Sequence, residues 1–192
     1  MLTDDQLVKR IAAGDQAAFE TLIHRYHAPL QGYLERMLQD AGKAEDFTQE
    51  TFVRLIRQLR TGRIPEQIVP WLYRVASNLC KDFWKSLKYK YENKSESVED
   101  KEYRDKKPSV VEIYERQETR KELLDMLGQL SETQRQIVIL RFYQDLKIQD
   151  IADIMGMNLS ATKTSLYNAL KKLKKYMLQH EDRLEEAGWY ER

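Results

Sequence analysis

The residues with chemistry to offer lie close together near the C-terminal end. No acidic residue occurs between Asp153 and Glu181, while Lys163, Lys171, Lys172, Lys174 and Lys175 all fall there. Ser160, Thr164, Tyr167 and Asn168 are interleaved with them. Lysine neutralises phosphates, and Ser, Thr and Asn can read base edges. The pattern therefore suits a nucleic-acid surface, with a solvated lysine-rich helix as the plainer alternative. Other reactive types give less. His24 and His27 are three apart, a spacing that can hold zinc, but no Cys or further His lies nearby, so a surface pair and no metal are expected. Cys80 is expected to be a small buried residue. No nucleophile, base and acid stand in a usable arrangement, and no glycine-rich phosphate loop occurs. Neither an enzyme nor a cofactor is expected.

The basic block needs a scaffold, and the spacing before it supplies one. Ile151, Ala152 and Met155 form an apolar stripe on a short helix, and Ala152 is small enough for a second helix to cross closely. Gly156 follows, where a tight turn requires positive φ. Met157 anchors the turn and Asn158 is placed to cap the next helix. Along that helix Leu159, Thr162, Leu166, Ala169, Leu170 and Leu173 would face inward. Ser160, Ala161, Lys163, Thr164, Tyr167, Asn168 and Lys171 would face outward. This is the pattern of a helix-turn-helix over 148–167, whose second helix enters the major groove.

The rest of the chain reads as helices too. The protein has 192 residues, 33% of them charged against a usual quarter, with 7 Gly and 4 Pro. High charge with little punctuation favours an all-α protein. Thr3 with Gln6, and Ser131 with Gln134, form capping boxes. Ala18, Phe19, Leu22, Ile23 and Tyr26 recur at helical spacing until Pro29, which is expected to break or restart the helix. Leu30, Tyr33, Leu34, Met37 and Leu38 continue the period, and Ala44, Phe47, Phe52, Leu55, Ile56 and Leu59 form a second stripe. Gly62 to Pro70 carries two prolines and reads as a loop, with a new helix from about Trp71 burying Leu72, Val75, Ala76, Leu79 and Phe83. From 87 to 118 the chain is too polar to bury a face and reads as a flexible charged linker, disordered or weakly helical, with helical periodicity resuming around Glu112 to Glu122. Leu123, Leu124, Leu127 and Leu130, then Ile137, Val138, Leu140 and Phe142, form the next stripes. Two small helical domains, 1–86 and 119–180, are thus expected, followed by an acidic tail over 181–192. The net charge of +1 hides the local basic block. No apolar run spans a bilayer, the first residues lack a signal-peptide layout, and a lone Cys excludes an internal disulfide, so a cytoplasmic location is expected.

At this point a resemblance becomes visible. LGQLSETQRQIVILRFYQDLKIQDIADIMGMNLSATKTSLYNALKKL resembles the promoter-binding C-terminal domain of extracytoplasmic-function sigma factors. KAEDFTQETFVRLIRQL followed by PWLYRVASNLCKDFWK resembles their N-terminal domain, and AAGDQAAFETLIHRYHAPLQGYLERML resembles their opening helices. The two long motifs stand in the family's order and cover the chain except for the linker.

The resemblance implies roles. Glu45, Asp46, Gln49 and Glu50, with Arg54, would bind the clamp helices of the largest subunit of core RNA polymerase; without it, they read as an acidic helix start complementing the macrodipole. The C-terminal domain would meet the flap of the second-largest subunit. The helix from Trp71 to Trp84 would face the −10 promoter element, with Arg63, Trp71, Arg74, Asn78, Lys81 and Lys85 as its contacts. Arg74, Lys81, Lys85 and Lys88 supply charge, and Trp71, Tyr73 and Trp84 supply rings that can stack on unpaired bases, with Trp71 expected to be partly core. The helix-turn-helix would read the −35 element. An anti-sigma factor is an expected partner and could hold the chain at a membrane without membrane insertion of its own. The chain also departs from the family. Ser131 stands where Pro is usual, Lys147 replaces a capping Ser or Thr, and Ser165 and Asn168 stand where Arg is common, which reduces phosphate contacts and guanine readout. The competing reading is a free-standing helix-turn-helix regulator.

Overall fold

The computed structural model describes residues 2–93 and 123–186, and side chains are described outside 87–93 and 179–186. Within them the chain is helical. The N-terminal module holds α1 (Asp4–Ala12), α2 (Gln16–Leu38), α3 (Ala41–Arg60) and α4 (Ile68–Asn93). The C-terminal module holds α5 (residues 123–128), α6 (Glu132–Phe142), α7 (Ile148–Met155) and α8 (Leu159–Glu186). The 94–118 part of the expected linker, and the periodicity around Glu112 to Glu122, lie outside the described residues.

Caps fix the helix starts. Thr3 accepts from Gln6 N–H while the Gln6 side chain accepts from Thr3 N–H, and Ser131 and Gln134 repeat the arrangement. Both expected capping boxes are therefore present. Asp15 caps α2 by accepting from Ala18 N–H, and this bond holds its carboxyl below the usual range. Asp40 caps α3 through Lys43 N–H.

Two local expectations are corrected. Pro29 neither breaks nor restarts its helix, because α2 runs through it from Gln16 to Leu38. The proline removes one i→i−4 bond, but Leu22, Leu30, Tyr33 and Leu34 are buried on either side and hold the helix against its neighbours. The loop before α4 ends earlier than Pro70, since α4 starts at Ile68. Pro70 then sits in the first helical turn, where a missing N–H costs nothing. At its other end α4 runs on to Asn93, into the first part of the expected linker.

The core is continuous across the two modules. Leu7, Leu22, Leu34, Leu55 and Leu72 from the N-terminal half join Leu130, Ile137, Ile139, Leu140, Ile151 and Ala169 in one apolar cluster. Its centre is α6, where Gln136, Ile137, Val138, Ile139 and Leu140 are consecutive and all buried. A helix buried on every side is one enclosed by others: α2 packs on one flank, α7 and α8 on the other. The stripe expected there included Phe142, which is instead 57% exposed at the end of α6, while Ile139, not anticipated, is fully buried.

Candidate polymerase and promoter interfaces

Three faces bear on the expected function. The first is on α3. Ala44, Thr48, Thr51, Phe52, Leu55 and Leu59 are buried, which turns Glu45, Asp46 and Gln49 to solvent, with Glu50 and Arg54 half-buried beside them. Their polar contacts run along the helix: Lys43 Nζ lies 3.4 Å from Asp46, Gln49 Nε2 donates to Glu45 at 3.3 Å, and Arg54 Nε donates to Glu50 at 2.8 Å. The structure thus brings all five residues to one acidic, solvent-facing patch, beside an exposed Val53.

The second face is on α4. Arg74, Asn78 and Lys85 are exposed and Trp71 and Lys81 half-buried, and at steps of three to four residues they form one stripe. Trp71 and Trp84 both pack against the core. Arg63 is exposed in the preceding loop, just after Gly62 with its φ of 75°. Tyr73 is corrected as a base-stacking candidate. It is 3% exposed, its ring meets Tyr33 edge-on at 5.3 Å, and its hydroxyl donates to Gln144. Cys80 is buried behind the stripe, and burial pushes its thiol up to about 12.

The third face is the helix-turn-helix. Ile151, Ala152, Ile154 and Met155 are buried on α7. Gly156 takes the left-handed conformation at φ 66° and ends the helix. A Cβ there would meet nothing within 4 Å, so glycine is needed for its backbone angle and not for space. Met157 N–H donates to the Ala152 carbonyl at 2.9 Å, and the Asn158 side chain accepts from Ala161 N–H at 2.7 Å, as its capping role requires. Lys147 makes no side-chain cap for α7. On α8, Thr162 and Ala169 are buried, while Leu159, Leu166 and Leu173 are half-buried. Leu170 is corrected: it is 40% exposed, because the buried stripe runs through Thr162, Leu166, Ala169 and Leu173 and leaves Leu170 at its margin. Ser160, Lys163, Thr164, Tyr167, Asn168 and Lys171 are exposed on the outer face, and Ala161 is half-buried at its margin. The Thr164 hydroxyl donates back to the Ser160 carbonyl at 3.0 Å.

Sequence reasoning missed a fourth set. Gln136, Gln144, Tyr33 and Ser77 form a polar seam between the modules. Its one signal was a glutamine heading the apolar run from Ile137 to Leu140.

Comparison with known proteins agrees with this layout. The family model for Sigma-70 region 2 matches residues 22–100, and that for Sigma-70, region 4, matches residues 120–173. The RNA polymerase sigma factor SigV of Bacillus subtilis is 31% identical over 72% of this chain and 78% of its own length. The ECF RNA polymerase sigma factor BldN of Streptomyces coelicolor is 33% identical over 88% of this chain, which spans 63% of BldN. The solved structure of the sigma factor RpoE in complex with the anti-sigma factor NepR, from Bartonella quintana, shares the fold at a TM-score of 0.62 and 16% identity, covering 83% of this chain and 96% of that one. Two sigma regions in their proper order, on an all-helical scaffold with an exposed helix-turn-helix, place the chain in the extracytoplasmic-function family of RNA polymerase sigma factors.

Proposed function

We propose that this chain binds core RNA polymerase through α3 and reads two promoter elements through α4 and α8. Membership of the family makes it a transcription-initiation specificity factor and not an enzyme. In this reading Glu45, Asp46, Gln49, Glu50 and Arg54 dock on the clamp helices of the largest subunit, and the C-terminal module meets the flap of the second-largest. Arg63, Trp71, Arg74, Asn78, Lys81 and Lys85 serve the −10 element, where extruding a base costs a few kcal/mol that contacts must return. Ser160, Ala161, Lys163, Thr164, Tyr167, Asn168 and Lys171 serve the −35 element. Residues 1–86 and 119–180 carry these two roles, joined by 87–118 and followed by 181–192.

The observation that carries the proposal is the outer face of α8. It is capped, packed against α7, and presents Ser160, Lys163, Thr164, Tyr167, Asn168 and Lys171 together. That is a donor-rich cationic face shaped for a major groove. An anti-sigma factor is proposed as the controlling partner, in line with the RpoE–NepR complex. A cytoplasmic site of action is proposed as well; among the described residues no helix is long and apolar enough to cross a membrane.

A gel-shift comparison tests the reading. Duplex promoter fragments should be shifted by the protein with core polymerase and scarcely by the protein alone. A strong shift without polymerase would favour the free-standing regulator.

A further inference from the structure

The distal half of α8 outruns the module that carries it. The helix packs on α6 and α7, and among the described residues Leu173 is the last of its side chains to join the apolar cluster. From Lys174 it still continues to Glu186, about 20 Å at 1.5 Å per residue. A stretch of that length gains little helical stability on its own in water. It also shows apolar side chains to solvent: Leu170 is 40%, Met177 49% and Leu178 51% exposed. Leu170, Met177 and Leu184 follow one another at heptad spacing in the sequence, the repeat of a helix that lies along another helix.

The charges on this stretch are sorted into two blocks. Lys171, Lys172, Lys174 and Lys175 come first; Glu181, Asp182, Glu185 and Glu186 follow, with Arg183 as the one cation among them. Within a single helix this order is unfavourable on two counts. Lys171 and Lys175 are an i,i+4 pair, as are Glu181 and Glu185, and Asp182 and Glu186, and like charges at that spacing repel. The acidic block also lies at the C-terminal end, where the macrodipole favours cations. None of the four lysines has a carboxylate three or four residues away. Lys172 Nζ instead lies 3.2 Å from Gln134 of α6.

A second helix running the opposite way removes both faults. It sets the lysine block of each helix against the acidic block of the other and places each acidic end beside its partner's cations. Leu170, Met177 and Leu178 are then covered between the blocks. A parallel pair would set like against like. A membrane surface fits less well, because anionic headgroups that attract the lysines repel the acidic block that follows them on the same helix. A second copy of this chain carries both blocks, and a two-fold axis brings them together twice.

We propose that α8 from Leu170 to Glu186 is a self-association surface, through which two copies of this chain pair as antiparallel helices. The surface is small for an interface, so the dimer is weak and depends on concentration, with a dissociation constant on the order of 10–100 µM.

Sedimentation equilibrium of the full chain, with reductant present and from about 1 to 300 µM, tests this. The wild type should pass from monomer to dimer across the range. One variant carries Lys171→Glu, Lys174→Glu and Lys175→Glu, and a second carries Glu181→Lys, Asp182→Lys and Glu185→Lys. Each should raise the dissociation constant by about tenfold or more, because both faces of its own dimer then carry one sign. An equimolar mixture of the two should dimerise at least as tightly as the wild type. Met177→Ser with Leu178→Ser removes apolar area without touching charge and should also weaken the dimer by about tenfold or more; it keeps the test valid if a charge variant misfolds, which circular dichroism would report. A wild type that stays monomeric throughout overturns the proposal, and its binding to vesicles of phosphatidylcholine and phosphatidylserine would then assign the face to lipid. A dimer that persists in all the folded variants overturns it as well, as does a mixture of the two charge variants that stays monomeric.

Discussion

Replacing Asp46 with lysine reverses the charge in the middle of the exposed α3 face, and the structure allows its two consequences to be separated. The folding consequence is small. The Asp46 side chain is 67% exposed and its ionic partner is Lys43, 3.4 Å away at i,i+3; an exposed pair of this kind contributes about 0.2–0.5 kcal/mol. Substituting a like charge adds a repulsion of similar size, so the total loss stays below about 1 kcal/mol. The binding consequence is larger. If Asp46 meets a cationic surface on polymerase, placing a cation there costs about 2–5 kcal/mol, or on the order of 30- to several-thousandfold in Kd. Fluorescence anisotropy of a labelled chain titrated with core polymerase measures the second quantity, and urea unfolding of the same sample measures the first. A Kd within threefold of wild type, in a variant that unfolds normally, would refute the assignment of α3 as the polymerase contact. A Kd raised together with a collapsed urea midpoint would refute the reasoning that the residue is structurally idle.

Other perturbations address the remaining faces. Asn158→Ala removes the cap bond to Ala161 N–H, made at 2.7 Å, and should lower stability by about 1 kcal/mol in urea unfolding while weakening −35 binding. Lys163→Ala and Lys171→Ala should each reduce the slope of log affinity against log salt by about 1 in holoenzyme–promoter titrations, since each removes one phosphate-neutralising charge. Burial raises the Cys80 thiol from 9.0 to about 12 and raises the Tyr33 phenol as well. The fold favours both neutral forms, so their contribution is intact below about pH 9 and is lost as pH climbs toward 12. Urea midpoints should therefore hold level to about pH 9 and fall beyond it; a level profile at pH 11 would contradict their burial.

Much of this was legible in the sequence where a single helix carries its own signal. The capping boxes at Thr3 and Ser131, the left-handed turn at Gly156 and the Asn158 cap are local devices, fixed by residues within four positions of one another. The α3 and α4 stripes were legible for the same reason, since one helix face is a matter of period. What depended on a distant partner was not. Pro29 sits within a continuous helix because packing outweighs one lost bond. Tyr73 has the composition of a stacking residue but is claimed by Tyr33 and Gln144, which are remote in sequence. Leu170 keeps an allowed period, yet it lies at the margin of the stripe that Leu166, Ala169 and Leu173 bury. The seam between the modules was invisible because polar residues that pair across an interface look like surface residues in sequence.

The central claim is that this chain gives core RNA polymerase its choice of start site. Run-off transcription on genomic fragments, with purified core polymerase and this protein, tests it most directly. The account predicts discrete transcripts that appear only when both are present, from start sites sharing two upstream elements. Transcripts whose start sites are the same with and without the protein would contradict it.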